Sequence, residues 1–211
     1  MVTGESLDPQ HAEARDPDVR LMLQVRDDVP GAFEVLVERY QHRLLGVMAH
    51  LIGRREEAED LTQEVFLRVF RTRKGYQPKA KFSTYLFTIA NNLALNHLRG
   101  KGRKRTVSLD GGGTDSQALR PGPGRALARD GTPSTQMRQL ELSDVIREAL
   151  EGLGEDQKMA VLLNKFEEMS YAEIARVMDK SEAAVKSLLA RARTNLRERL
   201  EPYLRTGQRA P

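Results

Sequence analysis

Apolar residues recur at intervals of three and four along nearly every patterned stretch of this chain. Phe33, Leu36, Val37, Tyr40, Leu44, Val47, Met48 and Leu51 set the pattern. That spacing places one continuous apolar stripe on a helix. Pro30 can begin this helix and Gly53 can end it. A second helix is expected from about Arg55 to Arg71, with Leu61, Val65, Phe66, Val69 and Phe70 as its apolar face. Gly75-Tyr76-Gln77-Pro78 reads as a loop, and a third helix follows from about Phe82 to Arg99. The expected fold class is therefore all-α.

Composition changes after the third helix. Thr106 to Thr135 holds six Gly and three Pro in 30 residues, with no sustained period. This reads as a linker with a root-mean-square span of roughly 30 Å and a limit near ~100 Å. From Met137 to Leu204 helical patterning returns. The expected organisation is two small helical domains, 18–105 and 136–204, joined by a flexible linker over 106–135.

Charge is distributed unevenly over this frame. Val65 to Leu109 runs 45 residues without Asp or Glu and carries eleven Lys or Arg, although the whole chain is only +4. A surface without carboxylates tolerates a polyphosphate at close range. Just before it, the second helix opens on Glu56, Glu57, Glu59 and Asp60 and closes on Arg68 and Arg71. The helix macrodipole favours that polarity, so a solvated helix end and a protein-facing acidic surface both account for it.

In the second half, Ser170-Tyr171-Ala172-Glu173 is a capping box, expected to open a helix from Tyr171 to Met178. Asp179-Lys180 makes a tight turn, and Ser181 can cap a further helix reaching about Glu201. Helix, short turn and helix is the geometry that places the last element in a DNA major groove. Val185, Leu188 or Leu189, Ala192 and Leu196 would pack inward, leaving Lys186, Ser187, Ala190, Arg191 and Arg193 facing out. In that reading Arg191 or a neighbour contacts guanine O6 and N7 while Lys186 and Arg193 hold phosphates. A helical hairpin with a solvated basic face has the same pattern.

Several classes of function fit poorly. Without cysteine there can be no disulfide, iron–sulfur cluster or thiolate zinc site. No Gly-rich phosphate loop or nucleophile motif occurs, since the glycines at 111–113 lie in the linker. His11, His42, His50 and His97 lie far apart and none has Glu-x-x-His spacing. No enzyme activity, cofactor or metal is expected. Met1 to Arg20 is too polar for a signal peptide, and the uncharged run Phe82–Leu98 is too short and polar to span a bilayer, so a cytoplasmic protein is expected.

Three motifs resemble parts of bacterial sigma factors. Asp60-Leu61-Thr62-Gln63-Glu64-Val65-Phe66-Leu67 resembles their core-polymerase-binding helix. Phe82-Ser83-Thr84-Tyr85-Leu86-Phe87-Thr88-Ile89-Ala90-Asn91-Asn92, followed by His97-Leu98-Arg99 and a basic cluster, resembles their promoter-melting helix. Leu153-Gly154-Glu155-Asp156-Gln157, the capping box and Val185-Lys186-Ser187 to Ala192-Arg193 resemble their −35-reading domain. The order and the linker are similar to the two-domain extracytoplasmic-function class, over about residues 18–204 apart from the linker.

The resemblance implies a site map. Glu59, Asp60, Gln63, Glu64 and Phe66 would bind core RNA polymerase at the β′ clamp coiled coil, with the β flap as a further contact. Tyr76, Lys79, Lys81, Tyr85, Asn91, Asn92, Arg99, Arg103 and Arg105 would bind −10 DNA, with Tyr76 and Asn92 capturing a flipped base. Thr84, Thr88, Asn91 and Asn92 would form the uncharged polar face of that helix. Ser170, Tyr171, Lys186, Ser187, Ala190, Arg191 and Arg193 would bind −35 DNA. An anti-sigma protein is the implied regulator, and no membrane contact is implied. Tyr85 stands where Trp is usual, Ala184 where Gly is frequent and Leu188 where Arg is common, and Ala190 replaces a larger side chain. The resemblance therefore implies no particular −35 sequence. A helix-turn-helix regulator binding duplex DNA unaided is the alternative.

Overall fold

The computed structural model describes residues 16–107 and 133–206, with side chains described for 16–100 and 141–205. The described residues are helical apart from short connections and contain no strand. The first half comprises α1 (Pro17–Arg26), α2 (Ala32–Ile52), α3 (Arg55–Thr72), a 3-10 turn (Arg73–Gly75) and α4 (Phe82–Val107). The second comprises α5 (Pro133–Glu151), α6 (Glu155–Lys165), α7 (Tyr171–Met178) and α8 (Glu182–Thr206). No described helix is long and apolar enough to cross a membrane.

Sequence reasoning missed α1, a short helix in a charged segment. Its signals are local: Asp16 accepts from the Asp18 amide at 2.9 Å and Pro17 occupies the first turn, where its missing N–H costs nothing. Asp16 also accepts from the Phe82 amide at 3.0 Å, so one carboxylate caps α1 and ties it to the start of α4. Asp18 binds the Tyr40 hydroxyl at 2.5 Å and also pairs with Arg39, fixing α1 on α2. Val19, Met22 and Val25 are buried beneath.

Helix α2 ends as expected at Gly53, whose φ of 80° is left-handed and whose amide closes on the Ala49 carbonyl at 3.0 Å. Helix α4 overruns its expected end at Arg99 and reaches Val107. Two glycines in this stretch weaken a helix without ending it, and a basic C-terminal segment suits the macrodipole. Helix α8 likewise continues past Glu201 through Pro202 to Thr206. Of the expected linker, residues 106–107 and 133–135 are helical, and 108–132 lie outside the described residues.

Within the first half, α2 packs on α1, α3 and α4. Within the second, α8 packs on α5, α6 and α7. The halves also meet: α4 lies against α7, and α2 against α5 and α6. Their buried residues form one continuous cluster, from Leu44, Phe82 and Phe87 to Leu162 and Ile174.

Candidate nucleic-acid and polymerase interfaces

The capping box forms as expected. The Ser170 amide donates to Glu173 Oε2 at 2.8 Å and the Glu173 amide donates to Ser170 Oγ at 3.3 Å. Asp179 turns the chain in a left-handed conformation (φ 51°), and Ser181 Oγ accepts from the Ala184 amide at 3.2 Å to start α8. Val185, Leu188, Leu189 and Ala192 are buried against α6 and α7. Lys186, Ser187, Ala190, Arg191 and Arg193 are all exposed on the opposite side. Arg193 donates to the Tyr171 hydroxyl at 3.0 Å, which orders one cation of this face from α7. Ser170 spends its hydroxyl on the cap.

The edge of α4 is less open than expected. Asn92 is exposed, but Asn91 is buried and its Nδ2 donates to the Val177 carbonyl at 3.3 Å. Thr84 is buried too, and its hydroxyl has no hydrogen-bond partner. The uncharged polar face therefore has two of its members inside the protein, because α7 covers that side of α4. Tyr76 is a second correction. It is 5% exposed, packs edge-on against Tyr85 with centroids 5.1 Å apart, and has an unpartnered buried hydroxyl. Burial pushes its hydroxyl pKa up. As folded here, Tyr76 is a core side chain and not the exposed loop residue expected. Tyr85 is half-buried, its hydroxyl 3.0 Å from Thr72 Oγ1.

The basic residues divide similarly. Lys79 and Arg99 are exposed, as is Arg71. Lys81 pairs with Glu173 at 2.8 Å, while Arg73 at 2.9 Å and Lys74 both bind Asp28 and hold its carboxyl below the usual range. Arg103 and Arg105 lie on the last turns of α4, and their side chains are outside the described residues.

On α3, Asp60 and Gln63 are exposed, Glu59 pairs with Arg55 at 2.7 Å and Glu64 pairs with Arg68 at 2.9 Å. Such exposed i,i+4 pairs contribute only about 0.3–0.5 kcal/mol, leaving the carboxylates open to exchange partners. Phe66 is buried and belongs to the core, so its expected surface contact is corrected. Leu67 and Phe70 are instead exposed (47% and 40%), with Phe33 4.9 Å from the Phe70 ring and the Arg73 guanidinium 4.0 Å above it. Helical period places Phe70 inward, whereas it lies outward beside Leu67 as an apolar neighbour of the acidic edge. Among the described residues no group of His, Asp and Glu could hold a metal.

Between the halves, His50 on α2 lies with its ring 5.7 Å from Phe166. Desolvation, then the charges of Lys158 and Arg147, lower its pKa. A neutral His50 suits the packed form, so stability is present above its ordinary pKa of 6.5 and is lost as pH falls toward the lowered value. Glu167 acts oppositely, because desolvation raises its pKa and the packed form binds its proton more tightly. Urea titrations between pH 7.5 and 5.5 should show a His50-dependent loss, limited to about 1.4 kcal/mol per pH unit for one proton. The His50→Gln variant should lack that component, and equal pH profiles would refute the assignment.

Residues 36–104 match sigma-70 region 2 and residues 143–196 match sigma-70 region 4. Over 191 residues the chain is 32% identical to the RNA polymerase sigma-H factor of Pseudomonas aeruginosa, covering 90% of this chain and 97% of that protein. It is 31% identical over 188 residues to the ECF RNA polymerase sigma-E factor of Escherichia coli, covering 89% and 96%. The solved sigma factor RpoE of Bartonella quintana, in complex with the anti-sigma factor NepR, superposes with a TM-score of 0.64 at 25% identity, covering 80% of this chain and 96% of that one. CnrH, solved with the cytosolic domain of CnrY, gives a TM-score of 0.64 at 22% identity over 89% and 99% of the two chains, a likeness of fold. An all-helical chain with a region 2 half and a helix-turn-helix region 4 half is a sigma factor of the sigma-70 type.

Within that type, the chain belongs to the extracytoplasmic-function (ECF) sigma factors. It is an alternative sigma factor, which binds core RNA polymerase and promoter DNA and directs transcription initiation.

Proposed function

We propose that the two halves divide this work by face, with residues 18–105 serving polymerase and −10 DNA and 136–204 serving −35 DNA. The exposed edge of α3 (Glu59, Asp60, Gln63, Glu64) meets the basic β′ clamp coiled coil, and Leu67 and Phe70 bury apolar area there in place of Phe66. The outward face of α8 enters the −35 major groove, Arg191 reading a base edge and Lys186 and Arg193 holding phosphates, with Ser170 and Tyr171 at its flank. Asn92, Lys79, Lys81 and Arg99, with Arg103 and Arg105, meet the −10 element, and Asn91 joins them once uncovered. The linker spans the gap, and region 4 also contacts the β flap. An anti-sigma protein holds the chain inactive in the cytoplasm. The chain catalyses nothing itself, as expected for a specificity subunit.

The observation that carries this reading is the row Lys186, Ser187, Ala190, Arg191 and Arg193, wholly exposed on a helix whose other side is buried. Purified protein added to core polymerase should give promoter-specific run-off transcripts from the source genome. Absence of any transcript over a genomic template library would overturn it. Gel shifts without polymerase should show weak specific binding or none. Tight specific binding by the isolated chain would instead favour a regulator acting on duplex DNA unaided.

A further inference from the structure

The connection from α3 to α4, residues 73–81, carries Lys79 and Lys81 and is tied down at both ends by α1. At its entry, Asp28, two residues past the end of α1, accepts from Arg73 Nε at 2.9 Å and pairs with Lys74. Lys74 Nζ also donates to the Arg26 carbonyl at 2.7 Å, at the C-terminal end of α1, where a cation suits the macrodipole. Arg73 in turn donates to the Phe70 carbonyl at 2.9 Å, which fastens the same cation to α3. At the exit, the Phe82 amide, which has no partner inside α4, donates to Asp16 at 3.0 Å. After burial, the Asp16 charge is the next cause of the raised Tyr76 pKa, so Asp16 also faces the middle of the connection. The connection does little to hold itself. Its own backbone bonds run from Tyr76 to Arg73 at 3.1 Å and from Lys79 to Gln77 at 2.9 Å, and Pro78 interrupts any regular helix. One exposed ion pair would steady it little, but here bonds converge on it from both ends of α1.

We infer that α1 is a strut that sets the −10-reading connection, with Asp16 and Asp28 as its positioning residues. Naming the connection as −10-reading rests on the function proposed above, but the strut stands on the contacts alone. Neither carboxylate touches DNA, since each would repel a phosphate. Both act through what they hold. Asp28 fixes Arg73 and Lys74, and so fixes where the connection leaves α3. Asp16 fixes the Phe82 amide, and so fixes where α4 begins and how Lys79 and Lys81 are presented. Arg73 and Lys74 therefore serve the strut and not the phosphate backbone, although both belong to the acid-free stretch.

Two substitutions remove these bonds without straining the backbone. Asp28 has a left-handed conformation (φ 58°) that glycine adopts freely, so Asp28→Gly deletes only the carboxylate. Asp16→Asn keeps a good N-cap but has one acceptor oxygen for two amides, so the Phe82 bond is lost. Holoenzyme made with each variant is titrated with promoter forks carrying the cognate or a substituted −10 base. The preference for the cognate fork should fall about tenfold in both, the worth of roughly one base pair. Affinity for core polymerase should stay within about twofold, because the acidic edge of α3 is remote from Arg73. A preference ratio does not depend on the fraction of chains that fold, so a merely destabilised variant would keep it. Asp28→Asn, which retains one acceptor, should recover part of the preference. Undiminished preference in both variants overturns the proposal. Amide hydrogen exchange in the free full-length chain supplies the second measurement. In Asp28→Gly, exchange over residues 76–81 should quicken on the order of tenfold while that of α2 is unchanged. Unchanged exchange at 76–81 also overturns the strut. If the parent holoenzyme itself shows no −10 preference, the assigned function fails, and the exchange measurement still decides the strut.

Discussion

Replacing Phe82 by alanine should destabilise the first half by about 3–5 kcal/mol. Phe82 is 0% exposed and sits at the first turn of α4, where three constraints meet. Its ring packs edge-on against Tyr40 with centroids 5.1 Å apart and lies 6.2 Å from Tyr85. Its amide is held by Asp16, so backbone movement cannot readily fill the space that the ring vacates. The residual cavity then adds to the lost transfer energy. Tyr40 and Tyr85 would each lose an aromatic neighbour, and Tyr85 is also the ring against which Tyr76 packs. Urea unfolding followed by helical circular dichroism should show the loss as a lower midpoint. Phe82→Leu should cost less than about half as much, because it keeps most of the volume. A Phe82→Ala chain within about 1 kcal/mol of the parent would mean that this cluster can collapse, contrary to its packing.

The same cluster shows what the sequence could and could not disclose. Period alone located α2, because its stripe runs for five turns and few alternatives share it. The capping box located α7 because Ser170 and Glu173 satisfy each other within one turn, independent of the rest of the fold. Rotation about a helix axis is harder to infer. Phe66, Leu67 and Phe70 are all apolar, and each successive position turns about 100°. Only the packing of α2 and α4 around α3 decides that Phe66 goes in while Leu67 and Phe70 stay out. The least legible features are those that depend on both halves. A polar residue off an apolar stripe reads as solvated, yet Asn91 faces Val177, 86 positions away. Glu167 lies in a connection, where exposure is the ordinary expectation, and its partner is 124 positions distant. Tyr76 shares this difficulty: a tyrosine in a Gly/Pro loop looks accessible, and its burial follows from the placement of α1 and α4.

Arg191→Ala should remove discrimination at one −35 base pair, at a cost of about 1–3 kcal/mol, while leaving the other positions of the element unchanged. The residue stands on the exposed side of α8, near the middle of the outward row. Its Nε is 3.5 Å from the Ser187 carbonyl of its own helix, at the limit of a hydrogen bond, so its guanidinium fork is not committed to another element. Arg193 differs, because the Tyr171 hydroxyl holds it toward α7. A tethered cation suits a phosphate at a fixed place, whereas an untethered fork can align with the paired acceptors of a guanine. Lys186→Ala and Arg193→Ala should therefore weaken all promoters about equally and reduce the salt dependence of holoenzyme binding by about one ion each. Competition among promoters carrying each base at every −35 position separates the two behaviours. Uniform weakening by Arg191→Ala would make Arg191 a phosphate contact and move base reading to its neighbours on α8, Ser187 and Ala190. Loss of selectivity at one base pair, with unchanged salt dependence, would fix the register of α8 in the groove.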